Sequence, residues 1–185
     1  MHEEKRGDFF TELLKFAALA AIIVFPVRFF VAQPFVVSGA SMNPTFANGQ
    51  YLIVDELTYH FASPQRGDVI VFRYPKDPTQ FFIKRIIGLP GETVQIKNGQ
   101  VYIQKDNGDP QPLNEPYVVN QGNGQDMTRA LGPDEYFVMG DNRPESSDSR
   151  TWGILPRNEI IGHVFLRLLP INTANVLPGS TNTHL

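Results

Sequence analysis

The apolar and polar positions divide this chain into two unequal parts. Residues 1–12 are largely polar at the start, with Lys5 and Arg6 offset by Glu3, Glu4 and Asp8. An uncharged apolar stretch, 16–27, follows, and Phe29, Phe30, Val31 and Ala32 continue it past Arg28. A helix crosses a bilayer with about 20 apolar residues. The segment 13–32 reaches that length when Lys15 and Arg28 extend their charges to the two interfaces. Pro26 is tolerable near the end of such a helix.

Beyond this segment the apolar runs are short and bounded by turn residues, the pattern of β-strands. Tyr51-Leu52-Ile53-Val54 follows the turn-like Ala47-Asn48-Gly49, and Val69-Ile70-Val71-Phe72 follows Arg66-Gly67-Asp68. Phe81-Phe82-Ile83-Lys84-Arg85-Ile86-Ile87 reads as a buried strand. Thr93-Val94-Gln95-Ile96 and Val101-Tyr102-Ile103 flank Asn98-Gly99, a dipeptide suited to a type I′ hairpin turn. Glu135 to Met139 and Ile160 to Leu166 complete the strands. The polar stretch 105–132, rich in Asn, Gln, Gly and Pro, reads as a small, partly mobile surface excursion. Residues 172–185 read as a flexible tail. The expected organisation is a cytoplasmic N-terminus over 1–12, a transmembrane anchor over 13–32 and a β-rich domain over 33–171.

Three readings of the N-terminal stretch compete: a cleaved signal peptide, an interfacial amphipathic helix and an uncleaved anchor. No small-x-small cleavage site is obvious before Gln33-Pro34-Phe35-Val36-Val37, which favours the anchor. Lys5, Arg6 and Lys15 precede the apolar segment and Arg28 follows it, a weak bias toward a cytoplasmic N-terminus.

Composition narrows the chemistry. The 15 glycines and 15 prolines argue for short strands and many turns rather than a helical bundle. A net charge of −3 gives no reason to expect nucleic acid. With no cysteine, a thiol nucleophile, a disulfide framework and Cys-based metal sites are excluded. No spacing matches a zinc site, an EF-hand or a P-loop, so neither metal nor cofactor is expected. Asp68, Asp141 and Asp148 have neighbouring arginines and read as ion-paired rather than as a carboxylate site.

Ser41 and Lys84 are the candidate catalytic residues. Ser41 lies in Ser38-Gly39-Ala40-Ser41-Met42-Asn43-Pro44-Thr45, where Gly39 permits close backbone approach and Pro44 starts a turn. A serine hydroxyl is a weak nucleophile without a base. A lysine serves as that base only where burial leaves it neutral, and Lys84 sits in a strand apolar on both faces. The plainer readings are a loop serine and a lysine whose amine reaches solvent. The run from Gly140 to Arg150 suits a hydrogen-bonded loop, one of whose serines orients the amine. His60 and His163 have no context for a Ser-His-Asp triad.

Four blocks occur in order: Gly39-x-Ser41-Met42-x-Pro44-Thr45, Arg66-Gly67-Asp68-Val69, Lys84-Arg85-x-x-Gly88-Leu89-Pro90-Gly91, and Gly140-Asp141-Asn142-Arg143-x-x-Ser146-x-Asp148-Ser149-Arg150. Together, after an apolar N-terminus, they resemble a type I signal peptidase, a membrane serine peptidase of the Ser-Lys kind. The resemblance implies an all-β catalytic domain of antiparallel sheets with an N-terminal transmembrane helix, held at a membrane with its catalytic domain on the periplasmic, extracellular or lumenal side. It implies Ser41 as nucleophile, Lys84 as general base and Ser146 as the lysine-orienting hydroxyl. Asp148 and Arg150 match a structural ion pair, and Phe35, Val37, Met42 and Ile83 match positions lining pockets for small side chains. The implied partners are preproteins with signal peptides and the lipid membrane; no oligomer is implied. Gly39 stands where some members carry a hydroxyl that helps bind the oxyanion. A self-cleaving Ser-Lys regulator would need a DNA-binding domain or cleavable linker where this chain is apolar. A membrane-anchored β module that binds peptide without cutting is the competitor from another class.

Overall fold

The computed structural model describes residues 4–26, 32–106, 108–122 and 124–180. Helix α1 covers Glu4–Pro26. The strands are β1 (Ala32–Val36), β2 (Tyr51–Asp55), β3 (Val69–Tyr74), β4 (Asp77–Gly88), β5 (Glu92–Lys97), β6 (Gln100–Lys105), β7 (Gln111–Pro112), β8 (Met127–Ala130), β9 (Glu135–Met139), β10 (Leu155–Pro156), β11 (Ile160–Leu169) and β12 (Asn175–Val176). Two single-turn helices, α2 (Thr58–Phe61) and α3 (Ser149–Trp152), sit between strands.

Every described strand pairing is antiparallel. The large sheet runs β1-β2-β11-β3-β4-β9-β10, with β12 added to β11; a smaller sheet runs β7-β6-β5-β8. The expectation of an antiparallel all-β domain is met.

The apolar runs are explained by burial on both faces. On β3, Val69 and Val71 enter a core with Val37, Met42, Phe46, Leu52 and Val54, while Ile70 and Phe72 enter another with Tyr136, Val138 and Trp152. On β9, Tyr136 and Val138 face that second core; Phe137 and Met139 face a third, shared with Val94, Ile96, Val101 and Ile103 of the small sheet. The β5–β6 hairpin turns at Asn98 (φ 50°) and Gly99 (φ 79°), both in the left-handed region that a type I′ turn demands.

Two expectations are corrected. The stretch 105–132 supplies β7 and β8, buries Leu113, Tyr117 and Leu131, and closes the third core. The expected tail is built into the fold as far as Ser180: β12 pairs with β11, and the Leu177 N–H donates to Phe165 O at 2.7 Å; 181–185 lie outside the described residues. The helix begins at Glu4, earlier than the expected 13, and no helix among the described residues is long and apolar enough to cross a membrane. Residues 27–31, part of the expected span, lie outside the described residues.

Candidate active site

Lys84 lies on β4 opposite Ile70 of β3, one residue before the part of β4 that pairs with β9. Its side chain is only 4% exposed. The amine donates to Ser41 Oγ at 2.8 Å and to Ile83 O at 2.9 Å, and lies 5.4 Å from the centre of the Phe82 ring. Burial lowers its pKa from an ordinary 10.5 to about 8, against the opposing pull of Asp148 and Asp141. At pH 7 about a tenth of such an amine is neutral, against about one part in 3,000 for an ordinary lysine.

Ser41 sits in the turn that follows β1. The Asn43 N–H donates to Ala40 O and the Phe46 N–H to Met42 O, closing the turn, and no hydrogen bond among the described residues occupies the Ser41 N–H. The Gly140–Arg150 loop holds this turn from the other side. The Asn142 N–H donates to Ser41 O at 3.0 Å, and Asn142 Nδ2 donates to Ala40 O at 3.1 Å. Gly140 is required by close packing: a Cβ there would fall on Ser41 O and Ser146 Oγ, and 2.6 Å from Ser146 Cβ.

Ser41 and Lys84 share a cleft of about 530 Å³ between β1 and β4. Phe35, Val37 and Ile83 line it, with Leu52 and Val71 among the apolar lining. The Phe35 and Phe81 rings meet edge to face across it, with centroids 5.6 Å apart. Met42, expected among the lining, is instead 1% exposed in the core with Val37 and Leu52, because the turn after Ser41 directs it inward.

The loop differs from expectation in its pairing. Asp148 binds Arg150 as expected, at 2.8 Å, and also accepts from the Gly140 N–H at 3.0 Å. Asp141 pairs with Arg85, not with a neighbour in its own loop, through bonds of 2.9 and 2.7 Å. Arg143 pairs with Glu115. Asp68 accepts from Tyr59 Oη at 2.7 Å and the Gln65 N–H at 2.8 Å, while Arg66 pairs with Glu92. Ser146 Oγ is buried without a hydrogen-bond partner among the described residues, so the second acceptor on the Lys84 amine is Ile83 O rather than Ser146.

Sequence reasoning missed the network beneath the dyad. Arg85, fully buried, reaches Asp141, Gly67 O at 2.8 Å and Gly179 O at 2.6 Å, and stacks 3.9 Å over Tyr117. Thr45 Oγ1 donates to Asp141 Oδ2 at 2.6 Å, tying the turn that bears Ser41 to the same pair. The available signal was the basic residue beside Lys84 in an apolar strand. His60 and His163 do not line the cleft, and no cluster of metal-binding side chains occurs among the described residues.

The profile of the family described as "Signal peptidase, peptidase S26" matches residues 10–169. A protein of Synechocystis sp. named "Probable signal peptidase I-1" is 42% identical over 88% of this chain and 84% of its own length. "Signal peptidase I P" of Bacillus subtilis subsp. natto is 32% identical over 92% and 95% of the two chains. A crystal structure of a signal peptidase I from Enterococcus faecalis V583 is 35% identical, covers 56% of this chain and 97% of its own, and has a TM-score of 0.47. On the length of the profile match and the identity of these relatives, the chain belongs to the signal peptidase family, peptidase S26.

Proposed function

We propose that this protein is a membrane-held serine endopeptidase that removes signal peptides from exported preproteins with a Ser41–Lys84 dyad. The observation that carries the reading is the 2.8 Å hydrogen bond from a buried, pKa-lowered amine to the Ser41 hydroxyl. A preprotein lies extended in the cleft, with small side chains against Phe35, Val37 and Ile83. Neutral Lys84 takes the Ser41 proton as Oγ attacks the carbonyl carbon. The Ser41 N–H donates to the oxyanion. Collapse breaks the peptide bond, and the leaving amine of the mature protein takes the proton from Lys84. Water then gives a proton to Lys84 and attacks the acyl ester; Lys84 passes that proton to the leaving Ser41 Oγ, and the released signal peptide's new carboxyl group loses its own proton to solvent. Ser146 Oγ, buried and unpaired, is assigned as an acceptor for the amine when Lys84 is charged.

The membrane part of this reading is supported by α1. Phe9, Phe10, Leu13, Leu14, Phe16, Leu19 and Ile22 are all exposed, so the β domain does not cover them. We assign lipid as their cover, with the β domain on the outer side of the membrane.

The test is cleavage of a preprotein by the detergent-purified protein and by Ser41→Ala, with the cut mapped by mass spectrometry. A cut after a small-x-small segment, absent in Ser41→Ala, is expected. A cut that survives in Ser41→Ala overturns the choice of nucleophile. Binding without any cut by either protein replaces the enzyme with a non-catalytic module.

A further inference from the structure

Glu145 lines the same cleft as Ser41 and Lys84, and the dyad chemistry makes no use of it. Its side chain is exposed and enters no hydrogen bond or ion pair among the described residues. The remaining lining residues are apolar or uncharged, apart from Lys84. Lys84 takes up and gives back the reaction's proton, so Glu145 is the one acidic side chain along the described lining.

The backbone beneath Glu145 is held from several sides. It ends the 3-10 turn Arg143–Glu145, which Pro144 stiffens, and its N–H donates to Asn142 O at 3.1 Å. Buried Arg143 donates to Gly140 O at 3.1 Å and pairs with Glu115. Arg150 Nη2 donates to Arg143 O at 2.7 Å. Glu145 is therefore held at the cleft by a fixed turn, on the same loop whose Asn142 grips the Ser41 main chain.

We propose that Glu145 is a specificity-determining residue: its carboxylate favours substrates with a basic side chain, and disfavours those with an acidic one, at a position beside the cleaved bond. This rests on the peptidase reading above. The apolar groove selects size, whereas an unpaired charge on its wall selects sign. An exposed carboxylate acts through a high dielectric, so one substrate charge about 6 Å away shifts kcat/KM about 3-fold. Exchanging Lys for Glu in the substrate then changes it roughly 10-fold, and salt of about 1 M removes most of that difference.

The experiment uses the full chain in detergent and a peptide series with small residues at the first and third positions before the bond. Lys, Gln or Glu is placed in turn at the second position before the bond and at each of the three after it. At one or more positions the wild type cleaves the Lys peptide roughly 10-fold faster than the Glu peptide at low salt. The ratio falls toward one in Glu145→Gln and inverts in Glu145→Lys. Equal Lys/Glu ratios in all three proteins at every position overturn the proposal while leaving the peptidase reading intact. Failure of the wild type to cleave even the Gln peptides sinks both. Glu145→Gln, the milder change, keeps the test decisive should Glu145→Lys fail to fold.

Discussion

Burying the Lys84 amine costs stability for as long as the amine is charged. Its pKa falls from 10.5 in the open chain to about 8 in the fold, a difference worth about 3 kcal/mol. Between these values the native amine is neutral while the unfolded one still holds its proton. Unfolding then takes up a proton, so the stability contribution rises with pH. The cost is fully present below about pH 8 and gone above about 10.5. Lys84→Met, which keeps the length of the stem and removes the charge, is therefore expected to abolish cleavage yet stabilise the fold at pH 7 by up to ~3 kcal/mol. Urea unfolding at a series of pH values checks this: the gain should shrink steadily above pH 8. In the proposed mechanism the same titration governs catalysis. kcat/KM should rise with pH along a limb centred near 8, set by the neutral fraction of Lys84. A limb centred near 10.5 would mean that Lys84 is not the base in this form.

At the scale of elements, the Gly140–Arg150 loop is the piece that aligns Ser41 with Lys84. It follows β9, which pairs with β4, the strand that bears Lys84, and it grips the Ser41 turn through Asn142. Gly140→Ala would push a methyl group onto Ser41 O and Ser146. We expect it to destabilise by about 1–3 kcal/mol and to lower kcat by roughly 100-fold through displacement of the serine. Single-turnover kinetics set against thermal unfolding separate the two effects. Beneath the loop, the Arg85–Asp141 pair is wholly buried. Asp141→Asn leaves Arg85 buried without its counter-charge, at a cost of about 3–5 kcal/mol measurable by denaturant unfolding. The β5–β6 hairpin shows the opposite extreme of legibility. Its turn and alternation are local, and Asn98-Gly99 announced both. The 105–132 stretch was not legible in this way. Its buried Glu115 accepts from Tyr117 Oη but finds its counter-charge in Arg143, 28 residues away, so polarity alone read as surface.

For the whole molecule, the proposed function assigns α1 and the β domain separate tasks. The exposed apolar side chains of α1 take no cover from the sheets, and the dyad, its cleft and its supporting network all lie beyond it. Removal of residues 1–31 should therefore leave cleavage of short peptides largely intact and abolish processing of membrane-bound preproteins. Parallel assays in detergent and in vesicles test this; equal loss in both would make α1 part of the folded domain. The other chain end behaves differently. Gly179 O caps Arg85, and a Cβ on Gly179 would lie 2.8 Å from Thr45 Cγ2, so the segment after β11 belongs to the packing under Ser41.

The amino-acid order by itself determined the longer strands and the I′ hairpin, because these rest on local periodicity and turn chemistry, and it singled out Ser41 and Lys84 as the candidate reacting pair. It also determined the family, through four short blocks in a set order. Only the tertiary structure brought Ser41 and Lys84, 43 positions apart, to 2.8 Å. It alone decided that Arg85 answers Asp141, that Met42 turns into the core, and that Glu145 lines the cleft. The physical reason is common to all of these. A side chain's charge state and partner are set by what the other strands exclude from or bring to its surroundings, and that information is not carried by its neighbours in sequence.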